Sequence, residues 1–302
     1  MKNLEIKKLS LEFKDNLKVN YDLKKKYWLN IGGKTKLFFK AKNLNELKIF
    51  LKEIRNEEKI FVLGAGSNTL FTDQTYDGVV IKLSKNFNNI SKLSEEIIIA
   101  GSAVTDRALS DFAMESNLSG FEFLSCIPGT VGGGIKMNAG CFGSEFKDIL
   151  LSVQAINNNG QIITIPSNKI KFEYRNSDLP EDLIFLSASF KGKKSNRASI
   201  QSLIKKYKEQ KEISQPTKLK TGGSTFKNPI SQTDKKVWEL IKQSVPLNTC
   251  FGDAVISDKH CNFFVNKGNA TFKQMNNLIQ FVSNKVLENT GIKIETEIKI
   301  IE

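Results

Sequence analysis

Apolar positions along the chain recur with two different periods, which predicts a mixture of helices and strands. Apolar spacings of three and four residues predict helices at residues 43–58, 106–116, 198–211, 235–244 and 271–289. Asn43 and Thr271 stand at the N-cap positions of the first and the last of these helices. Short apolar runs predict strands at residues 60–63, 79–83 and 97–100, several more between 151 and 190, and a last strand of period two over 292–300. Because helix and strand intermix throughout, the pattern predicts an α+β or α/β fold.

Two glycine-rich segments interrupt this pattern. The first, Gly64-Ala65-Gly66-Ser67-Asn68, follows the predicted strand at 60–63. The second has four glycines in the six positions 129–134 and lies in a predicted loop over 129–143. A backbone without side chains can bring its N–H groups close to a phosphate or a planar ligand. Two such loops without a Walker-type lysine favour a dinucleotide cofactor, although the first alone also fits an ordinary glycine turn.

Three polar segments could carry chemistry. Arg175 follows a predicted strand, where it could bind a carboxylate in bidentate fashion or form a surface salt bridge. Ser224 lies in Gly222–Pro229, a segment that fits ligand binding or proton donation better than nucleophilic attack, or else a simple turn before a proline. Glu295 and Glu297 fall on the polar face of the last predicted strand, which predicts that both are solvated.

Composition narrows the class of protein. The 302 residues are 40% apolar, enough for a packed core, and their number suggests two domains or one elaborated domain. No apolar run approaches the length of a membrane span, and the N-terminus lacks a signal-peptide pattern, so we expect a soluble cytoplasmic protein. One histidine and four cysteines without paired spacing predict neither a metal site nor disulfides, and we expect the cysteines to be buried.

The net charge of +13 is concentrated in one segment. Residues 191–220 hold ten basic and two acidic side chains, and a change in composition over 191–216 predicts a domain boundary. A lysine-rich solvated face is the simplest interpretation, while attraction of nucleic acid or a polyphosphate is the alternative. Tyr207 is the only aromatic residue of the segment, which disfavours nucleic-acid binding by base stacking.

Taken together and in this order, the segments resemble the family of UDP-N-acetylenolpyruvoylglucosamine reductases, flavoenzymes of peptidoglycan precursor synthesis. The resemblance runs from Ile31-Gly32-Gly33 to Glu297, nearly the whole chain, and includes Gly120 to Leu124 and Ser257 to Phe263. Only 48 residues separate Arg175 from Ser224. The chain therefore resembles the shorter form of the family, which lacks an extra loop with a substrate-binding tyrosine.

The resemblance implies an α+β architecture built on the FAD-binding fold of the vanillyl-alcohol-oxidase (PCMH) type. Residues 1–59 and 60–196 would form two FAD-binding subdomains, residues 197–302 a smaller UDP-sugar domain, and the C-terminal strand 292–302 would pack near the first subdomain. The residues implied in non-covalent FAD binding are Gly64, Ala65, Gly66, Ser67, Asn68, Thr69, Ile127, Pro128, Gly129, Thr130, Gly132, Gly133, Asn138, Ala139 and Gly140.

The implied reaction is the NADPH-dependent reduction of UDP-N-acetylglucosamine-enolpyruvate to UDP-N-acetylmuramate. Hydride would pass from NADPH to flavin N5 and from there to the vinyl β-carbon. Arg175 would stabilise the developing enolate, Ser224 would protonate the α-carbon, and Glu297 would assist. A carboxylate beside an enolate is repelled, so Glu297 should be protonated or well paired. The residues implied in substrate binding are Lys227, Asn228 and Lys211.

The resemblance adds expectations about partners and leaves two other classes open. It implies a monomer that binds NADPH and the UDP-substrate, with no nucleic acid, no membrane insertion and no metal, and the basic segment could then steer these anionic ligands. An oxidase of the same flavoprotein superfamily is the nearest rival. Many such oxidases bind flavin covalently through a histidine of the first domain, which this chain lacks there. A basic nucleic-acid-binding module is the non-enzymatic alternative.

Overall fold

A computed structural model of the chain describes residues 3–54, 58–216 and 219–302. Within this described part the helices are α1 (Asn3–Glu12), α2 (Leu44–Ile54), α3 (Asp106–Glu115), α4 (Val131–Lys136), α5 (Arg197–Ser214), α6 (Val237–Ser244) and α7 (Phe272–Thr290). The strands are β1 (Leu17–Asp22), β2 (Lys34–Ala41), β3 (Ile60–Val62), β4 (Thr69–Phe71), β5 (Tyr76–Leu83), β6 (Ile90–Lys92), β7 (Ile97–Gly101), β8 (Leu118–Ser119), β9 (Gly140–Cys141), β10 (Ser144–Glu145), β11 (Leu150–Ile156), β12 (Ile162–Pro166), β13 (Phe172–Glu173), β14 (Asn176–Ser177), β15 (Ile184–Lys191), β16 (Lys193–Lys194), β17 (Thr221–Ser224), β18 (Cys250–Phe251), β19 (Ala254–Ile256), β20 (Phe263–Asn266) and β21 (Lys299–Ile301).

The chain forms two compact units, of which unit 1 comprises Met1–Val19, Lys36–Ala65 and Asp77–Gln210. It holds most of a sheet of order β1-β2-β5-β3, in which β3 and β5 are parallel, and an antiparallel sheet of order β12-β11-β15-β7-β6. One core lies under α2, where the rings of Phe39 and Phe50 stack with centroids 3.9 Å apart. A second core lies around α3 and α4 and contains Phe146 and Phe190.

Unit 2 comprises Asn20–Thr35, Gly66–Tyr76 and Lys211–Glu302. Its antiparallel sheet has the order β17-β20-β19-β18, and α6 and α7 share its apolar core with Leu29 and Ile31. Helix α7 begins at the N-cap Thr271, whose side chain accepts the amide of Gln274, and it ends at Gly291 in the left-handed conformation. The last strand, β21, pairs in parallel with β4.

Most of the predicted elements are present, with boundaries shifted by one to three residues. The helix predicted over 43–58 is seen as α2, and the part of that prediction at 55–57 lies outside the described residues. Among the described helices, none is long and apolar enough to cross a membrane. The three-part division at 59 and 196 stays a prediction, since the compact units group residues 20–35 and 66–76 with residues 211–302.

Two predictions of local structure are wrong. Residues 131–136 of the predicted loop form α4, because Thr130 is extended and the glycines allow this short helix to pack closely on its neighbours. The strand predicted over 292–300 is regular only at Lys299–Ile301. Ile294 and Ile298 are buried as the period predicted. A strand also requires a neighbour along its length, however, and β4 offers only three residues.

Candidate active site

Several hydrogen-bond donors of the second glycine segment, called the open donors below, have no acceptor among the described residues of unit 1. Within the described residues, the amides of Gly129, Thr130 and Gly133 donate no hydrogen bond, and the hydroxyl of Thr130 has no partner. Gly64 lies beside them, because a Cβ at that position would be 2.6 Å from Thr130 Oγ1. Accessible amide and hydroxyl donors next to bare backbone are the groups that bind a pyrophosphate. These residues therefore fit the phosphates of a dinucleotide cofactor.

The same segment also contains glycines that the protein itself requires. A Cβ at Gly134 would be 2.1 Å from the ring of Phe146, and one at Gly129 would be 2.3 Å from Asp106 Oδ2. A Cβ at Gly132 would meet Cβ of Ser102 at 3.1 Å. The packing of the protein itself therefore already requires glycine at positions 134 and 129, whereas Gly133 has ordinary space around it.

The first glycine segment lies where the chain passes from unit 1 to unit 2. In unit 2, Gly66 has a φ of +69°, and a Cβ there would be 2.7 Å from the carbonyl oxygen of Lys26. The amides of Gly66 and Ser67 donate no hydrogen bond in the described part of the chain. Asn68 instead donates from Nδ2 to the carbonyl oxygen of Glu297 (2.9 Å), and Thr69 begins β4.

Arg175 lies in the two-residue turn between β13 and β14, in unit 1. Its φ of +57° is a strained backbone conformation for a residue other than glycine, and such strain concentrates at functional sites. Nη2 donates to the carbonyl oxygen of Gly140 (2.7 Å), and Nη1 lies 3.7 Å from Glu145 Oε1. The guanidinium also covers the ring of Tyr174 at 4.8 Å. These contacts hold the cation in one orientation, which suits recognition of a carboxylate.

Asn138 binds Glu145, the residue whose carboxylate lies next to Arg175. The buried Asn138 side chain donates to Glu145 Oε2 (2.9 Å) and to the carbonyl oxygen of Glu173 (3.1 Å), and it accepts the amide of Lys147 (3.1 Å). Ala139 uses both its amide and its carbonyl within unit 1. Glu145 was not found by sequence analysis, because no motif surrounds it and it lies 30 residues from Arg175.

Ser224 is the last residue of β17, in unit 2. The register of β17 against β20 shifts between Thr221 and Ser224, so β17 contains a β-bulge. Gly223 takes a φ of +78° within it. A bulge turns the next side chain away from the regular alternation of the strand, as is common beside active sites. The half-buried Ser224 hydroxyl makes no hydrogen bond to the described residues.

Glu297 lies beside the same strand. Phe226 and Thr296 form an isolated antiparallel bridge, and the amide of Glu297 donates to the carbonyl oxygen of Thr225 (2.8 Å). Glu297 is thus hydrogen-bonded to the residue that follows Ser224. It is half-buried, so the expectation of a solvated side chain is wrong for Glu297, because residues 292–298 do not form the strand on which that expectation rested.

The three predicted substrate residues differ in their surroundings. Lys227 Nζ lies 3.7 Å from Glu295 Oε2 with its side chain 28% exposed. Asn228 Oδ1 accepts the amide of Val237 (3.0 Å) and so caps the start of α6. Lys211 is half-buried in the last turns of α5. Their role in substrate binding stays a prediction.

Some residues of the basic segment form surface ion pairs, and the cysteines differ in how deeply they are buried. Arg197 pairs with Glu115, and Lys194 with Glu95, on the surface. Cys126 and Cys261 are buried as predicted, and all four cysteines are free. Cys141 is only half-buried, and the prediction is wrong for Cys250, which is exposed on the short strand β18.

Asp106 is a buried carboxyl beside the second glycine segment that sequence patterns did not reveal. It is the first residue of α3, and neither of its carboxyl oxygens has a hydrogen-bond partner in the described part of unit 1. Burial raises the pKa of Asp106 well above its ordinary value, even though the N-terminus of a helix favours a negative charge. We therefore expect that, at pH values between the ordinary and the raised pKa of Asp106, the native protein keeps a proton that the unfolded chain loses.

Asp106→Asn is expected to change how stability depends on pH. Above about pH 4 the unfolded chain releases the proton and the native state keeps it, so wild-type stability falls as pH rises towards the raised pKa. The variant lacks this loss and should be more stable than the wild type by about 1–3 kcal/mol at pH 8, with little difference near pH 4. Urea unfolding across this range measures the effect. Asp111→Asn, on the exposed face of α3, is the control, and an equal shift at every pH would contradict a protonated Asp106.

Two family models match this chain, each over a different range of residues. A model described as the C-terminal domain of UDP-N-acetylenolpyruvoylglucosamine reductase matches residues 215–301. A model described as an FAD binding domain matches residues 35–166, which include Gly64 and the open donors of Thr130 and Gly133.

Curated relatives are similar over almost the whole chain. A UDP-N-acetylenolpyruvoylglucosamine reductase of Pelagibacter ubique is 61% identical over 298 residues, which cover 99% of each chain. That of Rickettsia typhi is 42% identical over 288 residues, covering 95% of this chain and 96% of the relative. The crystal structure of the Thermus caldophilus enzyme superimposes with a TM-score of 0.81 at 29% identity, covering 95% of this chain and all of that one. These comparisons confirm the predicted α+β fold with an FAD-binding domain.

Proposed function

Because the chain belongs to the family of UDP-N-acetylenolpyruvoylglucosamine reductases and is an FAD-dependent oxidoreductase, we propose that it reduces UDP-N-acetylglucosamine-enolpyruvate to UDP-N-acetylmuramate with NADPH as the electron donor. The observation that supports this most directly is the hydrogen bond between Glu297 and Thr225 in unit 2. This bond holds the backbone of Glu297 beside β17, the strand that contains the β-bulge and ends at Ser224.

The open donors of unit 1 are the residues that would hold the cofactor. The amides of Thr130 and Gly133 and the hydroxyl of Thr130 are suited to its phosphates. When bound, FAD supplies the hydride chemistry: it takes a hydride from NADPH and delivers one to the vinyl β-carbon of the substrate. The absence of a histidine from residues 1–259 supports non-covalent binding.

Each of the three catalytic residues has a distinct role in this proposal. As hydride reaches the β-carbon, the electron pair of the double bond moves towards the substrate carboxylate, and Arg175 offsets the added charge. Ser224 gives its hydroxyl proton to the α-carbon, which completes the reduction of the double bond. Glu297 supports that proton transfer, and its protonated form would avoid repulsion by the enolate.

Substrate recognition would use groups that already have partners in the protein. Lys227 carries a positive charge suited to a diphosphate, although Glu295 competes for it at 3.7 Å. Lys211 is a second cation for the same ligand. Asn228 caps α6 with its carbonyl oxygen, so we propose that it contributes to substrate binding chiefly by holding the segment that begins with Lys227.

The test is a turnover assay on the purified, full-length chain. A yellow protein with flavin absorbance, from which acid releases FAD, is expected. NADPH should be oxidised in proportion to the UDP-N-acetylglucosamine-enolpyruvate supplied, with formation of UDP-N-acetylmuramate. Oxidation of NADPH that depends on oxygen and not on this substrate would instead indicate an oxidase. A protein that flavin cannot reconstitute would contradict the proposal.

A further inference from the structure

Asn262, a buried residue immediately before β20, makes an unusual pair of contacts in unit 2. Its Nδ2 donates to the carbonyl oxygen of Phe226 (2.9 Å), and its Oδ1 accepts the amide of Phe226 (3.0 Å). Its own carbonyl oxygen accepts the amide of Thr225 (2.7 Å). Asn262 therefore holds two consecutive residues, and these two directly follow Ser224.

The opposite side of the same backbone is held by the segment that carries Glu297. The carbonyl oxygen of Thr225 accepts the amide of Glu297 (2.8 Å), and Phe226 forms a bridge with Thr296. The ladder between β17 and β20 ends at the pair Ser224 and Phe263. Beyond that pair, the Asn262 side chain takes the place of a strand neighbour. The orientations of Ser224 and Glu297 thus depend on one short stretch of backbone and on the side chain that fixes it.

We propose that Asn262 is a positioning residue that aligns the Ser224 hydroxyl with Glu297 for proton transfer to the substrate. This inference rests on the proposed function and adds a residue that does not itself touch the reacting atoms. An asparagine amide suits the task because it presents one donor and one acceptor, which match the carbonyl and the amide of a single residue. A small displacement of a reacting group is enough to slow a reaction by about 100-fold.

The test compares the two half-reactions of the FAD-loaded full chain in Asn262→Ala. Reduction of the flavin by NADPH should stay within about two-fold of wild type, because Ser224 donates no proton in that step. Reoxidation by the enolpyruvyl substrate should be about 10- to 100-fold slower, with a KM for the substrate changed by less than about three-fold. Asn266→Ala is the matched control, since Asn266 is equally buried and binds Leu29, Gly268 and Ala270 rather than the Ser224 segment.

Two further variants separate positioning from a general loss of structure. In Asn262→Asp, which keeps the volume, reoxidation should recover as pH is lowered, because a protonated carboxyl again offers one donor and one acceptor. In a Ser224→Ala background, Asn262→Ala should slow reoxidation little further, since the effects of mutations at residues that act together do not add. The proposal would be overturned if Asn262→Ala slowed reoxidation in that background as much as it does alone. It would also be overturned if Asn266→Ala slowed reoxidation as much as Asn262→Ala does. Failure of the proposed function is distinct, because the wild-type flavin itself would not be reoxidised by the substrate.

Discussion

Ser224→Ala is expected to slow the reoxidation of the reduced flavin by the enolpyruvyl substrate by about 10²- to 10⁴-fold. The methyl group cannot give a proton to the α-carbon, so the step that consumes substrate is impaired. Reduction by NADPH should remain within about two-fold of wild type, because no proton from Ser224 enters it. Stopped-flow absorbance of the flavin measures the two half-reactions separately.

The structure indicates that this variant will fold. The Ser224 hydroxyl makes no hydrogen bond to the described residues, so its removal leaves no buried group unpaired. Ser231→Ala, on an exposed turn of the same unit, is the control and should leave both half-reactions unchanged. If Ser224→Ala reoxidised as fast as wild type, another group would have to be the proton donor.

Gly134→Ala is expected to destabilise unit 1 by about 3 kcal/mol, because its core has no space for a methyl group. The added Cβ would lie 2.1 Å from the ring of Phe146, which is fully buried and packs edge-to-face on the rings of Phe123 and Phe190. We expect a lower midpoint of urea unfolding for the flavin-free chain and a large loss of bound FAD. Both are measured on the purified protein by fluorescence.

Gly133→Ala, one residue earlier in α4, should have the opposite effect on stability. Its Cβ would meet only Thr130 Oγ1 at 3.6 Å, an ordinary contact, and the φ of Gly133 is not in the left-handed region. The flavin-free chain should gain about 0.5–1 kcal/mol, because alanine favours a helix more than glycine does. FAD affinity should nevertheless fall by about ten-fold, since the methyl group would stand among the open donors. An unchanged affinity would exclude Gly133 from the cofactor site.

Five of the seven described helices could be predicted from the sequence, because their signals are local. The helix predicted over 271–289 is seen as α7 at Phe272–Thr290, since an N-cap, an apolar stripe and a final glycine act within a few turns of each other. The family resemblance likewise depends on the order of short motifs along the chain. The resemblance predicted the FAD-dependent reductase activity, which periodicity and composition alone could not have indicated.

The last strand shows where local pattern fails. Residues 292–300 alternate as a strand does, yet only Lys299–Ile301 pair with β4. Alternation describes which side chains can be buried, whereas a strand exists only where another backbone accepts its hydrogen bonds. The half-burial of Glu297 followed from that difference.

The sequence by itself determined α2, α3, α5, α6 and α7, several of the strands, the two glycine segments and the identity of the residues that could carry chemistry. Tertiary structure alone decided which glycine makes room for Phe146, which side chain supports Arg175, and how Asn262 and Glu297 hold the backbone after Ser224. The physical reason is distance along the chain. Capping and periodicity act between near neighbours, while the partners of Ser224's segment lie about 36 to 73 residues away and meet it only when the unit has folded.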